Sequence, residues 1–234
     1  ALDSDQLAAL TSDQVPMLTT AQVAGLSSDQ VAGLGSADLN ALTTAQFAAL
    51  TTAQVAALNT DQIGALVSDD LRAISTAGLR AWSTDQLNAL SSANMGALTT
   101  AQTAALTTDQ IRNLSSTDLN ALGTAQFAAL TTAQVGAFSS DQVAALATDD
   151  LQAMTTGQFA AMNSDQIGAL TTLEITKLES QDLRAISTAA LVSLDSDQLA
   201  ALTSDQVPTL TTQQVAALTS DQIAGLGSAD LNAL

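Results

Sequence analysis

Large apolar residues fall in two columns that run the length of the chain. The first holds Leu10, Leu18, Leu26 and Leu34 and recurs every eight residues from Leu2 to Leu234. Ile74, Trp82, Phe138, Met154, Met162 and Ile186 replace leucine there. The second column lies five residues later, at Leu7, Val15, Val23, Val31, Leu39 and Phe47, and only Thr103 breaks it. Two residues after each member of the first column stands Ser or Thr, from Ser4 to Ser228. The consensus is Leu-Thr-Ser/Thr-Asp/Ala-Gln-Val-Ala-Ala, repeated 29 times without insertion or deletion.

A period of eight suits neither a continuous helix nor a strand. Eight residues turn an α-helix by about 800°, so each apolar pair would be offset by roughly 80° from the last. In a strand, Leu2 and Leu7 would face opposite sides. The octad reads instead as one very short helix and a bend. Thr11-Ser12-Asp13-Gln14 has the Ser/Thr-x-x-Gln form of a capping box, with Leu10 and Val15 at the two ends of a hydrophobic staple. Most octads repeat both devices, which leaves room for about one and a half turns of helix each.

Charge placement agrees with this frame. All 23 acids fall at the cap or at the second and third helical positions, as in Asp3, Asp13 and Asp38. Arg72, Arg80, Arg112, Arg184 and Lys177 come late in their octads, where a base complements the helix dipole. Pro16 and Pro208 stand at the fifth helical position, so those two turns are expected to be short or distorted. The column beginning Ser4 and Ser12 never loses its hydroxyl, while the residue before it varies to Gly35, Val67 or Ala147. Either this column is the true cap, or its hydroxyl faces inward in a row with the apolar columns, as Thr20, Val23 and Leu26.

A weaker period of sixteen overlies the octad. Alternate members of the second column favour leucine (Leu7, Leu39, Leu71, Leu87), and the interleaved set holds Phe47, Phe127, Phe159 and most of the isoleucines. Residues 195–234 repeat 3–42 with five differences, and Ser36–Val55 resembles Ser116–Val135. The offsets are whole multiples of sixteen. Duplication by whole turns gives such parity too, but two octads per turn is the simplest packing explanation. The expected fold is therefore all-α: a solenoid or superhelical coil of very short helices, one per octad and two octads per turn. The expected organisation is a single continuous array over residues 1–234. The sequence opens and closes inside an octad, which suggests a window of a longer repetitive protein. A lone octad buries almost nothing and an isolated helix this short is marginal in water, so stability must come from stacked neighbours.

Composition narrows the function classes. Five basic residues face 23 acidic ones, a net charge of -18. That balance repels nucleic acid and anionic membranes. The apolar runs are far short of the roughly 20 residues that span a bilayer. Cysteine, histidine and tyrosine are absent, so no general base or thiol nucleophile of the usual kind is available. The expectation is a non-enzyme with no catalytic, cofactor-binding or metal site. Asp69-Asp70 and Asp149-Asp150 offer oxygen ligands to calcium but lack the spacing of a calcium loop, and a solvated helix N-terminus accounts for them. Trp82 occupies the leucine column and is expected in the core. Leu173–Glu179 departs furthest from consensus and reads as a drifted octad.

The octad at 50–57, Leu-Thr-Thr-Ala-Gln-Val-Ala-Ala, resembles repeats of very large bacterial surface or secreted proteins, often labelled adhesin-like or haem-utilisation-like. The resemblance covers the whole chain and implies export and a stalk or filament role. It carries over no functional residues. The expected function is a structural rod, stalk or fibre region at a bacterial cell surface or outside the cell, with copies of itself as the partner. One alternative is a ligand- or cell-binding adhesion solenoid, for which Asn40, Arg72, Asn88, Asn120 and Gln152 supply surface variation. Another is an ice-binding Thr array, which the frequent Ser, Gly and Asn replacements would spoil.

Overall fold

In a computed structural model, residues 10–232 are described. Leu2, Leu7 and Asp3, and Leu234 at the other end, lie outside them. Each described octad folds as one short helix, as in Thr20–Ala24, Ser28–Ala32, Ser36–Leu39 and Thr44–Ala48. The two proline octads form 3-10 turns instead, at Val15–Met17 and Val207–Thr209. Proline has no N–H and its ring crowds the preceding turn, so the i→i−4 ladder cannot continue. Tighter bonds replace it, from Met17 N to Gln14 O and from Leu18 N to Val15 O.

The capping frame is the one that sets each helix. Thr19 accepts from Gln22 N while the Gln22 side chain accepts from the Thr19 backbone, and Ser27/Gln30, Thr43/Gln46 and Thr51/Gln54 repeat the device. The cap is thus the variable residue, not the uniform hydroxyl column. Nor does that column face inward. Thr20, Thr44 and Thr52 are exposed, while Val23, Phe47 and Val55 beside them are buried. From the first helical position these hydroxyls reach sideways at several octads: Ser12 to Asp38, Ser68 to Asn94, Ser92 to Asp118 and Thr156 to Asp182.

The chain divides into two compact units, residues 1–122 and 123–234. In each, a helix packs on the helix three octads away. Thr44–Ala48 lies on Ser68–Ala73, and Thr52–Ala56 on Thr76–Arg80, in the first unit; Thr156–Ala161 lies on Ser180–Ala185, and Ser164–Gly168 on Thr188–Leu191, in the second. Hydrogen bonds between turns span 25 to 31 residues, as from Asn40 to Ala65 and from Gln54 to Val23. A turn therefore takes between three and four octads, not two. Two helices of under two turns cannot enclose a core between them, because each presents only one second-column side chain and one leucine. Three or more around the axis let those side chains meet. The sixteen-residue parity then has no packing basis, and duplication by even numbers of octads explains it.

The core of each unit is the two columns. Val23, Leu39, Phe47, Ile63, Leu71, Phe127 and Phe159 are fully or almost fully buried, and the first-column Leu50, Leu58, Ile74 and Leu130 are nearly so. Thr103, the one break in the second column, is also buried, and its hydroxyl donates to Thr99 O one turn back. That bond removes the cost of an unpaired buried hydroxyl.

Candidate functional site

Very short helices have a hydrogen-bond problem. The first four N–H and last four C=O groups of any α-helix lack intrahelical partners, and helices of four to six residues such as Ser36–Leu39 and Ser68–Ala73 are almost entirely ends. The column of glutamines at the third helical position resolves it. In Gln54 the Oε1 accepts from Thr51 N (2.7 Å) and the Nε2 donates to Val23 O and Leu26 O, both at 2.8 Å. One side chain closes its own helix start and the end of a helix in the previous turn. Gln62, Gln102 and Gln110 repeat the geometry in the first unit. Gln158, Gln166, Gln206 and Gln214 repeat it in the second. All eight are buried, and each has its amide oxygen and nitrogen paired, as burial of an amide demands.

A second set of donors works in the opposite direction. Asn40, Arg72, Arg80, Asn88 and Gln152 share one octad position and donate to a backbone carbonyl 25 residues ahead, at Ala65, Ala97, Ala105, Asn113 and Lys177. Asn40, Arg72, Asn88 and Gln152 are among the residues that supply surface variation on an adhesion reading. Their polar ends are engaged in holding one turn to the next. Where glycine takes this position at Gly96, a Cβ would stand 2.6 Å from Ala121 O, so the backbone approach itself demands glycine.

Departures from glutamine change the electrostatics. Asp70 is buried while its neighbour Asp69 is exposed, and Asp150 and Asp149 divide in the same way. A solvated helix N-terminus thus describes only the first member of each pair. Burial, followed by repulsion from Asp69, pushes the Asp70 carboxyl up to about 6; burial and Asp149 raise Asp150 likewise. Glu174 is buried, with Oε2 accepting from Thr171 N at 2.6 Å. Burial raises its pKa against the lowering effect of the Thr171 bonds. Burial also raises Asp182, offset in part by the bond from Thr156 Oγ1, with Glu179 adding to the rise. Among the described residues, no group of three or more potential metal ligands comes together.

Trp82 sits in the core at 3% exposure, and its indole N–H donates to Val55 O at 2.8 Å. That carbonyl is the one a glutamine would otherwise take, and Gln86 turns to Ala56 O and Leu58 O instead. Gly78 belongs to the same adjustment, because a Cβ there would lie 2.9 Å from Val55 Cγ1. In the drifted octad, Leu173 projects into solvent, yet the helix Thr172–Lys177 keeps its capping box with Glu174 in the glutamine's place.

The features that stand out chemically are therefore parts of the stack itself, and the fold they define is a helical tandem-repeat solenoid. The chain belongs to the ALTTAQ repeat family, whose model matches residues 31–68, 64–100, 111–148, 143–178 and 175–212. The matched length has a physical counterpart. The segment 31–68 contains Val31 and the Gln62 that reaches back to it, and 175–212 contains Ile175 and Gln206. No curated protein matches the chain.

Proposed function

We propose that this protein is a non-enzymatic structural spacer of a bacterial cell-surface or secreted protein, a continuous array acting as a stalk or as part of a fibre. The observation that carries this reading is the glutamine ladder. The glutamine rungs that close one turn on the next all use the same geometry, as at Gln54, Gln102, Gln158 and Gln206, so turns can be added without a new solution to folding. Stability in such a stack is a sum of local terms between neighbours, which suits a spacer whose length is set by repeat number. The family membership supports a repeat role, and among the described residues no helix is long and apolar enough to cross a membrane. Surface acidity opposes nonspecific association with nucleic acid and anionic lipid. The reading assigns no catalytic, cofactor or metal site. The adhesion alternative loses its support, since Asn40, Arg72, Asn88 and Gln152 spend their donors on the neighbouring turn.

Small-angle scattering on the dilute chain tests the reading. A compact globule of 234 residues would have a radius of gyration of about 17 Å. A spacer gives a value well above that, with a cross-section of a few helix diameters. A radius at the globular value would refute it.

A further inference from the structure

The position that ends each short helix varies together with the ladder position further along the chain. Asn40, Asn88, Asn120 and Gln152 are each followed thirty residues on by an aspartate, at Asp70, Asp118, Asp150 and Asp182. Arg72, Arg80, Arg112 and Arg184 are followed at the same distance by glutamine, at Gln102, Gln110, Gln142 and Gln214. No arginine stands thirty residues before an aspartate. The spacing has a spatial meaning. Ladder side chains reach the backbone thirty residues back, as Gln86 does at Ala56 O (2.9 Å) and Gln102 at Arg72 O (3.3 Å). Asn94, as short as an aspartate, still reaches Leu66 O at 2.6 Å. An ionised carboxylate here would be matched best by arginine, yet amides go with the aspartates and arginines with the glutamines.

Asn40 shows which half of the amide is on offer. Its Nδ2 donates to Ala65 O at 2.6 Å, which turns Oδ1 the other way. That Oδ1 is buried and has no hydrogen-bond partner among the described residues. The Asp70 carboxyl is likewise buried and accepts no hydrogen bond among them. Asp38, Asp118 and Asp182 differ, because Ser12, Ser115 and Thr156 donate to them. Where Asp118 has Ser115 at its cap, Asp70 has Val67. A buried acceptor left without a donor is costly, and a single proton on Asp70 would serve both residues.

We propose that the Asp70 carboxyl holds a proton for Asn40 Oδ1, and that this O–H···O bond is a proton-operated latch between consecutive turns of the first unit. Closed, it ties the end of helix Ser36–Leu39 to helix Ser68–Ala73. Loss of the proton sets acceptor against acceptor and opens it. The surrounding charges leave Asp70 to this role. Thr44–Ala48 and Ser92–Ala97, the helices packed on Ser68–Ala73, carry no titratable side chain. Asp69 and Arg72 on its own helix lie in solvent 3.8 Å apart, Asp61 on Thr60–Gly64 is exposed, and Asp38 accepts from Ser12. Burial, then Asp69, push the Asp70 carboxyl up to about 6. The folded state thus binds this proton more tightly than the unfolded state, so the latch is shut below that pH and lost as pH rises through it. The latch adds a pH-responsive joint to the array and does not depend on the spacer reading.

Aspartate-selective 13C NMR of the whole chain over pH tests it, with the Asp70 carboxyl signal assigned by its loss in Asp70→Asn. Its midpoint is expected near 6. Asn40→Ala, at a position where Ala24, Ala32 and Ala48 stand in other octads, removes the acceptor. It should lower the midpoint by about one pH unit, a roughly tenfold weakening of proton binding. Asn40→Gln, the amide that precedes Asp182, should keep the midpoint of the unmodified chain. Amide exchange protection of residues 39–42 should fall as pH passes the Asp70 midpoint, and at the lowered midpoint in Asn40→Ala. Asp150, in the second unit, is the control that none of these changes moves. An Asp70 midpoint in the ordinary carboxylate range overturns the proposal. So does a midpoint unmoved or raised by Asn40→Ala, since burial alone would then hold the proton.

Discussion

Replacing Glu174 by glutamine should stabilise the second unit. Glu174 occupies a ladder position, buried to 2% exposure, and its Oε2 already caps Thr171. A glutamine in this column donates to carbonyls 28 and 31 residues earlier, as Gln206 does to Leu178 and Ile175. For position 174 those residues are Leu146 and Val143. A carboxylate has no proton to give them. Glutamine supplies up to two net hydrogen bonds, each worth about 0.5–1.5 kcal/mol, and removes the cost of burying a charge, so a gain of about 1–3 kcal/mol is expected near pH 7. The pH dependence has a definite sign. Burial raises the folded pKa above the ordinary 4.5, so the folded state binds this proton more tightly than the unfolded state. Wild-type stability is thus lowered above the folded pKa and recovers as pH falls through it towards 4.5. The advantage of Glu174→Gln must therefore be largest at neutral pH and shrink on acidification. Amide hydrogen exchange on the full chain reads this locally, since opening in a one-dimensional stack is confined to nearby turns. No added protection around 143–178 at pH 7, or an advantage that grows in acid, would refute the reasoning.

Three further outcomes follow from the same packing. Asp70, raised from 3.8 to about 6, costs the first unit about 3 kcal/mol when ionised; its urea midpoint should rise between pH 7.5 and 5, and Asp70→Asn should abolish that rise. Phe47→Ala removes a fully buried ring and should cost about 3–5 kcal/mol, with exchange protection lost only in the adjoining turns. Trp82→Phe forfeits the bond to Val55 O and leaves that carbonyl with Leu58 N alone, a loss of about 0.5–1.5 kcal/mol measurable by the same denaturation, while the native Trp82 should emit at the short wavelengths of a buried indole.

The unit of structure was legible in the sequence, but the turn was not. The capping box and staple at Thr11–Val15 predict a helix per octad, and Pro16 and Pro208 predict where it distorts, because those signals are local to one octad. The buried role of Trp82 is legible too, since it stands in an unbroken apolar column. The number of octads per turn depends on which distant carbonyl a side chain reaches, and an unvarying repeat looks alike at every offset. Glutamine shows only its capping half in sequence; its other half, at Val23 and Leu26 for Gln54, lies about 30 residues away. One signal was present: glutamine fills 19 of the 29 places in this column and glutamate only one, although both can close a capping box. A cap alone would accept either, while a donor to buried carbonyls must be the amide. Among the departures, the carboxylates at 70, 150, 174 and 182 are the ones that are buried.

The number of octads per turn is most directly tested by paired spin labels, which the absence of native cysteine makes straightforward. Asp61, Ala77 and Asp85 are exposed and occupy the same position in their octads. The helices Thr60–Gly64 and Thr84–Asn88, three octads apart, are packed together, so their axes lie about 8–10 Å apart. Labels at 61 and 85 should show strong dipolar broadening in the continuous-wave spectrum, and labels at 61 and 77 much less. Stronger coupling for the 61/77 pair would restore two octads per turn and contradict the glutamine ladder.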